Sequence, residues 1–168
     1  MAQKHPGTFF LDIVERFFFN KIMENLDAKR TQLEKFVGKW TTVGQILPTS
    51  NKAGADIRGH ESYEWLEGEY FLLHNSEIEM GDHHQRTLEV FSFEAQENHF
   101  MTQFYDNTGN SGQFQVTLMD DLWIFRGETL LFKGGFSEND TVFAGVWEQL
   151  NQEKVWAPYM HIKLVKEV

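Results

Sequence analysis

Two patterns of hydrophobic and polar positions divide the chain near Gly38. From Thr8 to Phe36 the sequence has no glycine or proline, and apolar residues recur at the spacing of a helix face. Thr8 suits the start of such a helix, and Gly38 suits its end. The pattern therefore predicts a helix over Thr8–Phe36, within a helical segment at residues 1–37.

The first half of this predicted helix, Phe9 to Phe19, is apolar on most of its sides and has to be buried on most of them. We favour a lid over the mouth of a barrel, and the alternative is a subunit interface in a homodimer. The run is interrupted by Asp12, Glu15 and Arg16 and is too short to span a membrane. It also lacks the basic segment and cleavage site of a signal peptide. We expect a cytoplasmic protein with no membrane partner.

After Gly38, short stretches rich in aromatic and β-branched residues alternate with turns rich in Gly, Asn and Asp. Ten successive strands without an intervening helical pattern predict a mainly β domain at residues 38–168. We expect a lipocalin-like, antiparallel up-and-down β-barrel, closed so that no strand edge is free. The longest irregular stretch, Leu47 to Gly59, is the predicted portal. The predicted strands are Lys39–Ile46, His60–Leu66, Tyr70–Ile78, Arg86–Phe93, His99–Tyr105, Gln113–Met119, Leu122–Gly127, Thr129–Phe136, Thr141–Gln149 and Val155–Val165.

Composition excludes several classes of function. The chain has 168 residues, with 25 acidic against 15 basic residues and a formal net charge of -10. Such a charge repels phosphate backbones and anionic lipid, so we expect no nucleic-acid partner. Without cysteine, the chain has no disulfide, thiol nucleophile or thiolate metal site. Aromatic residues make up 15% of the sequence, which predicts large side chains in a core or around a ligand.

Four motifs in a fixed order resemble those of a known family. This order, over roughly residues 36 to 166, resembles the bacterial lipocalin-like (calycin-type) family known as domain of unknown function 1579. The resemblance implies a barrel whose Trp40 plugs the closed end, and it brings no established activity or catalytic residues. The motifs are Gly38-Lys39-Trp40, Tyr63-Glu64-Trp65-Leu66-Glu67-Gly68-Glu69-Tyr70-Phe71, Phe104-Tyr105-Asp106-Asn107-Thr108-Gly109-Asn110 and Trp156-Ala157-Pro158.

Barrels of eight to ten strands commonly leave an interior cavity, so we expect the protein to bind a small, mainly apolar molecule there. Arg126 alternates with Ile124 and is predicted either to hold a ligand carboxylate in the cavity or to pair with Glu128 at the surface. The residues predicted to bind the ligand are Trp40, Tyr63, Trp65, Phe104, Trp123 and Arg126.

Two other classes of function remain open, although an enzyme is less favoured than a binding protein. One is a small enzyme that uses Glu64 or a cavity histidine as acid and base on an aromatic or lipid-like substrate, because Glu64 lies between two aromatic residues. The other is a structural or interaction protein whose filled barrel displays its helix. A cavity-facing titratable residue favours the enzyme, and an interior without voids favours the structural protein.

The seven histidines predict no metal site. His83 and His84 are adjacent, so in extended chain they point to opposite sides, and we predict a solvated turn. His60, His74 and His99 each stand alone near a strand end, where a hydrogen-bonded structural role is the common outcome.

His161 lies in the last predicted strand. Nitrobindin-type haem barrels, which are related calycins, also carry a histidine in their last strand. This more distant resemblance makes haem bound through His161 an alternative to our expectation of no cofactor. Strand alternation, however, places Met160, Ile162 and Leu164 on the apolar face and directs His161 outward.

Overall fold

Ten antiparallel strands form a closed barrel in the computed structural model, which describes residues 26–94 and 97–167. A helix at residues 26–34 precedes the first strand. Each strand pairs with its neighbours in chain order, and the first also pairs with the last. The predicted ten-stranded, up-and-down barrel is confirmed. The strands are β1 (Gly38–Ile46), β2 (Ala55–Trp65), β3 (Leu72–Met80), β4 (His83–Glu94), β5 (His99–Asp106), β6 (Ser111–Met119), β7 (Leu122–Arg126), β8 (Leu130–Ser137), β9 (Val142–Leu150) and β10 (Trp156–Lys166).

The start of β2 is the largest difference from the predicted strand boundaries. β2 begins at Ala55 and not at His60, so the predicted portal shortens to residues 47–54. Gly59 suggested a loop, but it lies inside the strand. Its lack of a side chain lets β2 approach β3 closely, because a Cβ there would lie 2.2 Å from the backbone oxygen of Glu77.

The helix at residues 26–34 is the described part of the longer predicted helix. It ends two residues before Phe36, since residues 35–36 form a turn in which the Phe36 amide donates to the Leu33 carbonyl at 3.0 Å. The preceding part of the predicted helix, including Phe9 to Phe19, lies outside the described residues. Its lid and homodimer alternatives therefore stay predictions. Among residues 26–94 and 97–167, no helix is long and apolar enough to cross a membrane.

The end of the barrel beside this helix is filled by aromatic side chains. We call it the closed end; the β2–β3, β4–β5, β6–β7 and β8–β9 connections lie there, and the opposite end is the open end. Phe36 is 1% exposed and packs among the rings of Trp123, Phe136 and Phe143, with centroids 4.8 to 5.0 Å away. Trp40 is fully buried beside them and donates from Nε1 to the Phe36 carbonyl at 2.7 Å. These residues form the aromatic plug.

Phe36→Ala should strongly destabilise the protein, because it removes the ring around which the aromatic plug packs. We expect the free energy of unfolding to fall by roughly 3–5 kcal/mol, the usual loss for a buried phenylalanine. Phe71→Ala is the matched control. Because Phe71 is 43% exposed, this variant should lose much less free energy of unfolding. Urea unfolding followed by circular dichroism measures both variants, and equal losses would contradict the plug as described.

Candidate ligand-binding cavity

A cavity of about 330 Å³ occupies the interior of the barrel towards its open end. This volume lies at the lower end of the range of about 300–1,000 Å³ that is usual for small-molecule sites. Its two sides differ in chemistry. Most of the polar side chains of the lining lie on β2 to β4, which also contribute Ile57, Tyr63, Ile78 and Met80; we call Glu61, His74, Ser76, Gln85, Thr87 and Glu89 the polar wall. The aromatic wall, on β5 to β10, contains Phe104, Phe114, Phe125, Leu130, Phe132, Phe143, Trp147 and Ile162.

Strand register brings the central polar residues together. Side chains two residues apart share one face of a strand, so Glu61 faces the interior with Tyr63. Tyr63 pairs with His74 across β2 and β3, and His74 pairs with Glu89 across β3 and β4. Glu89 in turn pairs with Phe104 on β5, where the aromatic wall begins. The antiparallel pairing thus aligns an acid, an imidazole and an aromatic ring at one level of the barrel.

His74 lies between two carboxylates, and we call Glu61, His74 and Glu89 the acidic clamp. The imidazole Nε2 is 2.7 Å from Glu61 Oε2, and Nδ1 is 2.9 Å from Glu89 Oε2. The three side chains are only 9 to 12% exposed. The Tyr63 ring stacks on the imidazole with centroids 4.1 Å apart, and the Thr42 hydroxyl donates to Glu61 Oε1 at 2.5 Å. Each ring nitrogen of His74 therefore has a fixed acceptor.

This arrangement favours the charged forms of His74 and Glu61. Burial alone would lower the pKa of His74, but the hydrogen bonds and charges of Glu61 and Glu89 outweigh it and raise that pKa to about 9. Burial raises the pKa of Glu61, but hydrogen bonds from His74 and the Thr42 hydroxyl and the charge of His74 lower it by more. The net shift of this pKa is therefore downward. Burial, followed by the two negative charges, raises the pKa of Tyr63 well above its usual value. Near neutral pH, His74 is an imidazolium.

The hydrogen bonds determine which chemistry is available to a bound molecule. Both N–H groups of the His74 imidazolium donate to carboxylates, so neither ring nitrogen has a lone pair that could bind a metal or abstract a proton. Within the described ranges, no group of three His, Asp or Glu side chains is arranged to hold a metal ion. Glu89 Oε1 receives no hydrogen bond from any described residue, and Glu89 lines the cavity. The acidic clamp consequently offers its ligand an acceptor.

The six residues predicted to bind a ligand are divided between the cavity, the closed end, the side of the helix and the outer face of the barrel. Tyr63 and Phe104 line the cavity. Trp40 and Trp123 are buried at the closed end, and Trp65 lies beside the helix, where its Nε1 donates to Glu34 at 2.7 Å. These three tryptophans are therefore not part of the cavity lining, because they lie at strand ends that the plug and helix cover, and a role for them in ligand binding stays a prediction.

Arg126 is exposed on the outer face of the barrel, so of its two predicted positions it occupies the one at the surface. Trp123 and Phe125 are the inward residues of β7, and both are buried. Alternation therefore turns Ile124 and Arg126 outward. Position 126 cannot hold a carboxylate inside the barrel in this arrangement.

The other titratable candidates lie outside the cavity. Glu64 is exposed, as the residue between two inward positions of β2 must be. His161 is also exposed, in agreement with the predicted alternation, so its imidazole does not reach the interior. His60 faces Glu167, and His84 faces Glu77, both at the surface. His99, by contrast, is buried and lies 3.4 Å from the Gln115 side chain.

Tyr159 departs from strict alternation in β10. The register with β9 shifts between Pro158 and Met160, and this irregularity allows Tyr159 to line the cavity together with Met160. Strict alternation would place Tyr159 on the outward face with His161. The proline and its bulge are the physical reason for the difference.

Sequence reasoning missed Glu61 and Glu89, and it assigned His74 only a structural role. A signal was present, because each of these polar residues is in phase with buried residues of its own strand. Glu61 alternates with Ile57 and Tyr63, and Glu89 precedes Phe91 by two residues. Polar residues at inward positions of three successive strands point to a buried polar cluster.

The comparisons with known proteins agree with the fold and carry no activity. The family described as a protein of unknown function, DUF1579, matches residues 25–133, and the chain belongs to this family. No curated protein matches the chain. A solved structure entitled "Crystal Structure of Rv2717c from M. tuberculosis" superposes with a TM-score of 0.57 at 6% sequence identity, covering 82% of this chain and 96% of that one. At that identity, the similarity shows the fold alone.

The raised pKa of His74 should make stability fall at alkaline pH. Its folded pKa of about 9 exceeds the ordinary histidine value of 6.5, so its contribution is fully present below pH 6.5 and is lost as the pH rises through 9. Two-dimensional NMR of the imidazole should give a midpoint near 9. Glu89→Gln should lower that midpoint, while Glu64→Gln, an exposed control on β2, should leave it unchanged. A midpoint near 6.5 in the parent protein would contradict the acidic clamp.

Proposed function

We propose that this member of the DUF1579 family binds a small, mainly apolar molecule in the cavity of its barrel. The observation that carries the proposal is the uneven filling of the interior. The aromatic plug packs the closed end, whereas about 330 Å³ is left towards the open end. Protein interiors are normally packed densely, so a lined space of this size is a feature to be explained.

The chemistry of the lining supports an apolar body for the ligand. Phe114 and Trp147 have ring centroids 5.3 Å apart, and Phe132 and Trp147 have centroids 5.2 Å apart, so the aromatic wall is continuous. A molecule that covers these rings removes apolar surface from water, which is the main source of affinity in such sites. The cavity also opens towards solvent at the end where the 47–54 connection lies, which provides an entry route.

The two alternative functions have less support from the described residues. For an acid–base enzyme, the acidic clamp does supply titratable residues that face the cavity. However, Glu64 is outside the barrel, and both ring nitrogens of His74 are held by carboxylates. For a structural protein with a filled barrel, the open half of the interior would have to be packed by its own side chains. A binding protein accounts for both the space and its aromatic lining.

Filling the cavity with a larger side chain should abolish binding. Leu130 lies at the rim of the aromatic wall and is half-buried, so Leu130→Trp should occupy the space without unfolding the protein. Leu122→Trp is the matched control, because Leu122 is 41% exposed. We expect N-phenyl-1-naphthylamine, an uncharged fluorescent probe, to bind the parent and the control with saturation, and Leu130→Trp at least tenfold more weakly. Equal binding by all three proteins, or none by the parent, would contradict the proposed function.

A further inference from the structure

We infer that the ligand carries a protonated amine, which the acidic clamp binds while the apolar body of the ligand lies against the aromatic wall. This inference rests on the proposed function and specifies the class of ligand. It comes from three features of the cavity: the hydrogen-bond groups left free, the balance of charge, and the position of the aromatic rings.

The donors of the acidic clamp are already used within it. Both N–H groups of His74 point to carboxylates, and the Thr42 hydroxyl donates to Glu61. The Tyr63 hydroxyl also faces Glu61, at 3.4 Å. What remains for a ligand is the acceptor capacity of Glu89 Oε1. A ligand anion would meet an acceptor there, whereas an ammonium group would donate to it.

Charge favours the same ligand. The acidic clamp sets two carboxyl groups against one imidazole, so it holds one more acid than base. No Lys or Arg lines the cavity among the described residues, so the additional acid has no basic side chain as a partner within the space. A buried charge gains most from a partner at hydrogen-bond distance, since the surroundings screen it weakly. The net charge of the whole chain, -10, also attracts cations to the protein more than anions.

The aromatic wall provides the remaining contacts. Phe104 pairs with Glu89 across β4 and β5, and its ring stacks on that of Phe114 with centroids 5.6 Å apart. The pairing places Phe104 on the strand next to Glu89, and aromatic rings attract positive charge as well as apolar groups. On the side of the acidic clamp towards the open end, Ser76 and Thr87 pair with each other and face the same cavity. A second polar group on the ligand would find these hydroxyls.

A series of three ligands with one aromatic body tests the inference at pH 7. These are 1-naphthylmethylamine, 1-naphthylmethanol and the carboxylate 1-naphthaleneacetate, which carry a cation, a neutral hydroxyl and an anion. Isothermal titration calorimetry on the full chain should show the amine binding at least tenfold more tightly than the alcohol, and the carboxylate most weakly. A carboxylate that binds as tightly as the amine would overturn the inference.

Glu89→Gln provides the variant, and Glu64→Gln on the outer face is its matched control. The variant should lose most of the preference for the amine while keeping its affinity for the alcohol within about threefold, which also shows that its cavity is intact. The control should keep the full preference. An unchanged preference in Glu89→Gln would overturn the inference. If N-phenyl-1-naphthylamine binds but none of the three ligands does, the inference fails and the proposed function stands; if no probe binds, both fail.

Discussion

The interior of this barrel depends on one buried interaction, the imidazolium of His74 held between Glu61 and Glu89. Ionised groups are costly to remove from water, and they remain charged inside a protein only when partners satisfy them. The distances of 2.7 and 2.9 Å meet that requirement. They require three adjacent strands in a single register, because Tyr63, His74 and Glu89 occupy directly paired positions. Strand register is thus linked to the charge of the cavity.

The two ends of the barrel have different roles because their side chains differ. At the closed end, Phe36 brings the end of the helical segment into contact with several strands, and Trp40 closes the space beside it. This packing supplies apolar burial that the hollow end cannot supply. At the open end, polar and aromatic walls face each other across the cavity. A pocket with one acidic side and one aromatic side suits a molecule that is itself polar at one end.

The fold could be predicted from the sequence, whereas most of the site could not. Period-2 alternation and turn residues locate all ten strands. In β7, whose residues are apolar on both faces up to Arg126, alternation did not decide whether Ile124 or Phe125 faces inward. Alternation does not show how far along the barrel a residue lies, so it could not separate Trp123 in the plug from Phe104 in the cavity. Nor could it show that His74 has two acids as neighbours, because those contacts join residues 13 and 15 positions apart and require the strand register.

The most direct measurement of the central claim is a crystal structure of the protein with 1-naphthylmethylamine bound. We expect the ammonium nitrogen to lie within hydrogen-bond distance of Glu89 Oε1, with the naphthalene ring against Phe104 and Phe114 inside the barrel. His74 should keep both of its hydrogen bonds, since the ligand uses the acceptor that they leave free. A ligand bound only on the outer surface, or an amine directed away from the acidic clamp, would contradict the account.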